Sequence, residues 1–136
     1  MSGFKELADT LARRFMAEGF TVHRYDAYST DSVYLKLDYG LGNSIRISDH
    51  RGYKHLKYRF NIGTWVRRRR DEYDGGYARS YYPVEDVESL VADVLRNRHQ
   101  RRQSLGRRGY ERKVSELRER SRHIRKGFWS YCRRVK

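Results

Sequence analysis

Arginine dominates the chemistry available to this sequence, and it is concentrated in the last third of the chain. Residues 96–136 hold 16 Lys+Arg against 3 Asp+Glu, whereas residues 1–95 hold 15 against 14, so nearly all of the formal net charge of +14 lies in the last 41 residues. A guanidinium group can grip a phosphate through two parallel hydrogen bonds and can stack on a base. Each neutralised phosphate also releases a condensed counterion, so the segment favours binding to nucleic acid. An acidic protein partner and a solvated helix face are the alternatives.

Two groups of basic residues are predicted to contact nucleic acid. The C-terminal group is Arg101, Arg102, Arg107, Arg108, Arg112, Lys113, Arg118, Arg122, Arg125, Lys126, Arg133 and Arg134. The second group is Arg67, Arg68, Arg69 and Arg70, which stand close to Trp65, Tyr81 and Tyr82 in the sequence. Arginines interleaved with aromatic residues suit a single strand or an RNA loop, because the charges meet the backbone and the rings stack on bases. A solubilising loop is the alternative interpretation of this second group, since three acidic residues partly cancel its charge.

Residues that could support catalysis or hold a metal are sparse. Asp49 and His50, with His55 nearby, suggest a general acid–base pair, but a metal site needs three or four converging ligands and the histidines have no recognisable spacing. No phosphate-binding Gly-rich loop or nucleophile elbow appears. We therefore expect no catalytic residue, metal or cofactor. A small nuclease that uses His50 with Asp49 is the least favoured alternative.

The elements that must position these residues indicate an α+β fold with an N-terminal helix, an antiparallel sheet of three to four strands, and two C-terminal helices. Apolar residues at helical spacing predict a helix over 3–18, and alternation predicts strands over 20–25, 32–39, 44–48 and 57–66. Residues 67–82 are polar and aromatic, which is typical of a long loop or a twisted hairpin tip. After Pro83, a strong apolar stripe predicts a helix over about 84–102 that packs on the sheet.

A last helix is predicted over 110–133 by a narrow apolar seam. Its positions alternate four and three residues apart, in heptad fashion, and are Tyr110, Val114, Leu117, Ser121, Ile124, Phe128, Tyr131 and Val135. The seam suits docking on the N-terminal domain, a homodimer formed through residues 110–135, or contact with another partner. We therefore divide the chain into a compact α+β domain, 1–103, and an arginine-rich amphipathic helix, 104–136.

The composition also bears on location. The chain has one cysteine and no signal-peptide apolar region, and no apolar run approaches membrane length. The basic tail also lacks a broad apolar face for insertion into a membrane surface. We expect a cytoplasmic protein without a membrane partner.

One segment resembles known proteins. The runs at 31–34 (DSVY), 44–50 (SIRISDH) and 58–62 (YRFNI), followed by the predicted helix over 84–95, are similar to small phage and prophage proteins, among them broad-spectrum type II-A anti-CRISPR proteins. Two features differ. In the anti-CRISPR protein that the segment resembles, the arginine-rich region is N-terminal, whereas the basic segment here is C-terminal. The strand motif there is Ser-Asn-His, whereas it is Ser-Asp-His at 48–50 here. The resemblance implies an inhibitor of Cas9 that engages the Cas9–guide RNA complex in the cytoplasm of a bacterial host during phage infection.

On this hypothesis, guide RNA is favoured over DNA, and Cas9 or a related RNA-guided effector is the protein partner. The residues of the sheet region proposed to contact that partner are Tyr34, Arg46, Asp49, His50, Trp65, Tyr81 and Tyr82. The alternative is a general RNA- or DNA-binding accessory or regulatory protein of a mobile element.

Overall fold

Helices pack on a mixed β-sheet, which gives the expected α+β class. The computed structural model describes residues 3–49, 56, 58–60, 69–74 and 77–136. The helices and strands, in chain order, are α1 Gly3–Ala17, β1 Val22–Asp26, β2 Val33–Leu37, β3 Ser44–Ile47, β4 Tyr58–Phe60, β5 Arg69–Asp74, β6 Tyr77–Tyr82, α2 Val87–Leu105, α3 Arg107–Ser121 and β7 Arg133–Arg134. Short 3-10 helices at Asp38–Gly40, Val84–Asp86 and Phe128–Tyr131 lie between these elements.

The sheet differs from the prediction in its strand number and in its strand directions. Within the described residues it has seven strands in the order β5-β6-β4-β3-β2-β1-β7. The pairs β3–β4 and β4–β6 are parallel, and the other neighbours are antiparallel. The prediction of three to four antiparallel strands was therefore wrong in both respects. Parallel and antiparallel strands share the same side-chain alternation, so the sequence pattern could not distinguish them.

One face of the sheet forms the hydrophobic core with α1 and α2. In β2, Val33, Leu35 and Leu37 point into this core, whereas Lys36 lies on the opposite face and is half-buried. The helices contribute their apolar stripes, which are Ala8, Leu11, Ala12 and Phe15 from α1 and Leu90, Val91 and Val94 from α2. Each such large apolar side chain contributes about 1.5–3 kcal/mol when fully buried. The predicted helices over 3–18 and 84–102 are thus confirmed, and so is the packing of the second on the sheet.

A buried arginine ties α1 to the sheet on this same face. Arg24 of β1 is 5% exposed, and its guanidinium donates to Asp9 of α1 at 2.5 Å and to Asp26 of β1 at 2.6 Å. A charge at this depth is tolerated because both carboxylates compensate it.

The C-terminal segment does not form the long helix that the seam predicted. α3 ends at Ser121, and the chain then passes through the Phe128–Tyr131 turn into β7, which pairs antiparallel with β1 at the sheet edge. The backbone N–H of Val135 also donates to the carbonyl of Val22 at 2.9 Å. The predicted extent of 110–133 was therefore wrong: strand pairing with β1 replaces the last helical turns.

The seam of α3 is docked on the rest of the chain. Tyr110 is buried, and its hydroxyl donates to Oδ2 of Asp38 at 2.6 Å, while Val114 and Leu117 are half-buried. α3 contacts α2 and the Asp38–Gly40 turn. Docking is thus the alternative that the structure shows. The homodimer through residues 110–135 stays a prediction.

Candidate nucleic-acid interface

The basic residues predicted for the C-terminal segment lie almost entirely on the surface. Eleven of these twelve side chains are exposed, namely Arg102, Arg107, Arg108, Arg112, Lys113, Arg118, Arg122, Arg125, Lys126, Arg133 and Arg134. Arg101 is half-buried, and its Nε donates to the side-chain oxygen of Asn97 at 3.3 Å. We call the eleven exposed residues the basic surface.

The docked seam determines how α3 presents its share of the basic surface. Because an α-helix has 3.6 residues per turn, Arg107 and Arg118 lie on one flank of the seam, and Lys113 lies on the other. Arg108 and Arg112 are one turn apart on the side opposite the seam, at a rise of about 6 Å. Exposed cations therefore surround the outer part of the helix instead of forming one short row.

Few carboxylates neutralise the basic surface. Arg107 approaches Glu111 at 4.0 Å, and Glu119 lies 3.5 Å from Arg122. No acidic side chain of the described residues pairs with the other α3 members of the surface, which are Arg108, Arg112, Lys113 and Arg118. Exposed pairs of this kind contribute little, typically 0–1 kcal/mol, so a phosphate can displace them.

One arginine within the basic segment is buried in the fold, and another forms a surface ion pair. Arg98 is 7% exposed, its Nη2 donates to the carbonyl of Glu18 at 2.6 Å, and its guanidinium lies 3.8 Å from the ring centroid of Phe20. Burial lowers the pKa of Arg98, and the charge of Arg102 lowers it further. Arg96 pairs with Asp93 at 2.7 Å. Neither arginine was among the predicted contacts.

Half of the second basic group lies outside the described part of the chain. Arg67 and Arg68 are outside the described residues, as are neighbouring Trp65 and the proposed partner contact His50. Arg69 and Arg70 begin β5, which pairs antiparallel with β6. Of the two interpretations of residues 67–82, the hairpin is therefore the one that forms.

Most of the described sheet residues proposed to contact a protein partner are buried. Tyr34, Arg46, Tyr81 and Tyr82 are 0–6% exposed. Tyr82 points into the core and donates to Asp93 at 2.6 Å, whereas the others lie on the opposite face, where the guanidinium of Arg46 is 5.8 Å from the Tyr34 ring. These four cannot form a partner surface without rearrangement, so that proposal is corrected for them.

Asp49 is the exception among these residues, because it is exposed just beyond β3. His50 and His55 lie outside the described residues, so the acid–base pair that the sequence suggested stays a prediction. Among the residues that the structure describes, no group of three or more His, Cys, Asp or Glu side chains is placed to hold a metal ion.

Sequence reasoning missed two features. Arg120 and Lys136 are exposed beside the predicted contacts and extend the basic surface, and their position among other basic residues was a sufficient signal. The second feature is a cavity that brings His23 and Lys36 of the sheet together with Cys132 near the C-terminus. No sequence spacing could indicate it, because the lining residues come from distant parts of the chain.

None of the helices in the described ranges is both long enough and apolar enough to cross a membrane. Comparisons with protein-family models, with curated protein sequences and with solved structures found no match to this chain.

Proposed function

We propose that this protein binds nucleic acid, and RNA in preference to DNA, through contacts of its basic surface with backbone phosphates. The observation that supports this proposal is the solvent exposure of eleven Arg and Lys side chains between residues 102 and 134. Eight of them lie on α2, α3 or β7, and few have carboxylate partners. Preorganised guanidinium groups lose little side-chain entropy when they bind phosphate, and the binding releases counterions from the nucleic acid.

The arrangement of these cations supports recognition of the backbone over reading of bases. Specific base contacts come from a short row of side chains that enters a groove. Here the docked seam occupies one side of α3, and the cations are distributed over the remaining surface. Contacts of that kind position a nucleic acid without selecting its sequence.

A matched pair of double variants tests the proposal. Arg112→Gln with Lys113→Gln removes two charges from exposed positions on α3, and Lys5→Gln with Arg13→Gln removes two charges from exposed positions on α1. We expect the α3 variant to weaken binding of a labelled single-stranded RNA on the order of tenfold at low salt, because two phosphate contacts are lost. Fluorescence anisotropy measures the affinity.

The α1 variant is the control for overall charge, and it should bind within about twofold of the wild type. Equal weakening by both variants would mean that net charge alone attracts RNA. Unchanged binding by the α3 variant would mean that α3 does not contact the strand.

We further propose, as a narrower form of the same function, inhibition of a Cas9-type effector through its guide RNA complex. The resemblance of residues 31–95 to anti-CRISPR proteins supports it, as does the net charge of +14. A strongly cationic protein suits an RNA-directed inhibitor and cannot imitate the polyanionic DNA substrate. Since Tyr34 and Arg46 are buried, the residues shared with those proteins contribute to the sheet interior, and the basic surface would make the contact.

A pull-down from cells that contain Cas9, with and without guide RNA, followed by sizing of the RNA, tests this narrower proposal. It predicts guide-dependent capture of Cas9 by the wild type and weaker capture by the α3 double variant. Capture of cellular RNAs without Cas9 would instead support the general nucleic-acid-binding protein.

A further inference from the structure

A cavity of about 150 Å³ lies where the C-terminal segment crosses the sheet. Its floor is formed by His23 of β1 and Lys36 of β2, which are directly opposite each other in the strand register. Residues that follow α3, including Ile124, Trp129 and Cys132, form the other walls. The cavity is on the sheet face opposite the hydrophobic core, and all three of these wall residues are half-buried.

The described side chains that line the cavity include basic groups and no carboxylate. The basic groups are the ammonium group of Lys36 and the imidazole of His23. Arg134 of β7 is paired with His23 in the register, which places a guanidinium group at the edge. Among the described residues no acidic side chain pairs with Lys36, whose Nζ instead lies 5.3 Å from the ring centroid of Trp129.

The titration behaviour of these groups agrees with a site that lacks its counter-charge. Burial lowers the pKa of His23, and the charges of Lys36 and Arg134 lower it further; burial also lowers the pKa of Lys36. Burial raises the pKa of the Cys132 thiol, so a thiolate does not form readily beside Lys36. A bound anion would raise the pKa of both His23 and Lys36, because it stabilises their charged forms.

The imidazole of His23 has donor capacity left for a ligand. Its Nδ1 is buried and has no hydrogen-bond partner among the residues that the structure describes. A proton on Nδ1 would create a buried N–H group without an acceptor, which is costly. The favoured tautomer therefore carries its proton on Nε2, and Nε2–H is the donor. The hydroxyls of Ser121 and Ser130, which also line the cavity, already donate to backbone carbonyls. The ammonium group of Lys36 and the Nε2–H of His23 are therefore the groups that would hold a ligand.

We propose that this cavity binds a single phosphate group, held by Lys36 and His23 with Arg134 at its edge. Its volume is comparable to that of engineered cavities that hold a benzene molecule. It is well below the roughly 300–1,000 Å³ of sites for drug-sized ligands, so a phosphate fits and a whole nucleotide does not.

The source of the phosphate follows from the surroundings, and this step rests on the proposed nucleic-acid function. The chain runs from α3 directly into the cavity wall at Ser121 and Ile124, and β7 carries two members of the basic surface. Basic residues therefore lie on both sides of the cavity along the chain, so a strand that follows the basic surface passes the cavity. Because the cavity is too small for the nucleosides that flank an internal phosphate, the group that it takes is the terminal phosphate of a bound nucleic acid.

The first arm of the test uses inorganic phosphate and the full chain at constant ionic strength. We expect phosphate to raise the pKa of His23, followed by NMR of the imidazole protons, while resonances of exposed His99 serve as an internal control. Lys36→Met keeps the aliphatic stem and removes the charge, and it should abolish this response. Lys5→Met removes an exposed lysine of α1 and should leave it intact. A His23 titration that is unaffected by phosphate, or affected equally in Lys36→Met, would overturn the phosphate site.

The second arm compares one short RNA that carries a 5′-phosphate, a 3′-phosphate, or hydroxyls at both ends. We expect one phosphorylated form to bind the wild type about tenfold more tightly than the hydroxyl form, the effect of one charge-assisted hydrogen-bonded contact. The advantage should disappear in Lys36→Met and persist in Lys5→Met. Thermal unfolding shows whether Lys36→Met is folded, and His23→Gln is the second variant if it is not.

The two arms separate the two proposals. If no RNA binds but phosphate still acts on His23, the proposed function fails and the phosphate site stands. If all three RNAs bind equally while phosphate acts on His23, the site takes free phosphate, and the terminal-phosphate assignment is overturned.

Discussion

At the scale of single residues, Asp38 connects three distant parts of the chain. This carboxylate is 4% exposed; it accepts the backbone N–H of Thr21 at 2.9 Å and the hydroxyl of Tyr110 at 2.6 Å. The following residue, Tyr39, has a φ of 58°, a conformation that non-glycine residues rarely adopt. The tight turn therefore presents a buried carboxylate to α3, and Tyr110 determines where that helix docks.

Removing the Tyr110 hydroxyl tests this connection. Tyr110→Phe keeps the ring and leaves one oxygen of a buried carboxylate without its donor, so we expect the free energy of unfolding to fall by about 1.5–3 kcal/mol. Urea denaturation measures this change in the free energy of unfolding. Tyr131 is 77% exposed, and Tyr131→Phe is the matched control that should change stability by less than about 0.5 kcal/mol. Equal effects of the two variants would contradict the role given to Asp38.

His23 predicts a pH dependence of stability. Its pKa is lowered from the ordinary value of 6.5 by burial and by neighbouring cations. The unfolded chain therefore binds a proton at a higher pH than the folded chain does. The resulting contribution of His23 to the free energy of unfolding is fully present above about pH 6.5 and is lost as pH falls through the folded pKa.

Urea denaturation of the wild type and His23→Gln between pH 5 and pH 8 isolates this contribution. The stability of the wild type relative to the variant should increase as pH rises toward 6.5 and level off above it. Parallel stability profiles would show that His23 titrates alike in the folded and unfolded chains.

The candidate interface could be proposed from the sequence, because a cluster of basic residues can be recognised without knowledge of the tertiary structure. Arg102 and Arg98 show the limit of that reasoning. Both lie on α2 in the same basic run, yet Arg102 is exposed and Arg98 is buried against Phe20. Which arginine packs and which faces solvent depends on how α2 rotates against the sheet, and the weak amphipathicity of its C-terminal half did not reveal it.

At the scale of elements, the last residues of the chain complete the sheet. β7 pairs with β1, and Val135 packs against the core cluster. Without β7, the edge of β1 would expose unpaired backbone groups, which favour association with other chains. The basic C-terminus is thus fixed to the domain that it extends.

Truncation tests the contribution of β7. A chain that ends at Cys132 lacks the strand and Val135, and we expect the free energy of unfolding to fall by about 2 kcal/mol, from the lost hydrogen bonding and partial apolar burial. Urea denaturation measures this change, and sedimentation shows whether the exposed edge causes association. A chain that lacks only exposed Lys136 is the control and should match the wild type.

Helices and strands were predicted correctly where the apolar pattern that indicates them involves residues close together in the sequence. Periodicity located α1, α2 and the strands β1 to β3, because each buries one face through residues close in sequence. The parallel pairing of β3 with β4 depends on contacts between distant segments. The seam through Phe128 and Val135 kept helical spacing beyond the true end of α3, where Gly127 has a φ of 88° and pairing with β1 begins.

At the scale of the whole molecule, charge is divided between a nearly neutral part and a strongly cationic segment that is folded onto it. Residues 1–95 hold 15 Lys+Arg against 14 Asp+Glu, so the field of the protein is directional. Such a field draws a polyanion to one side of the molecule and makes association sensitive to ionic strength. The central claim is that backbone phosphates are what this side binds.

The salt dependence of RNA affinity tests that claim most directly. For labelled single-stranded RNAs of unrelated sequence, measured between 50 and 200 mM salt, the logarithm of the association constant should fall linearly with the logarithm of salt concentration. We predict a slope of about −4 or steeper, which corresponds to about six or more phosphate contacts, and similar values for every sequence. A slope near zero, or no binding at 50 mM salt, would contradict recognition of the phosphate backbone by the basic surface.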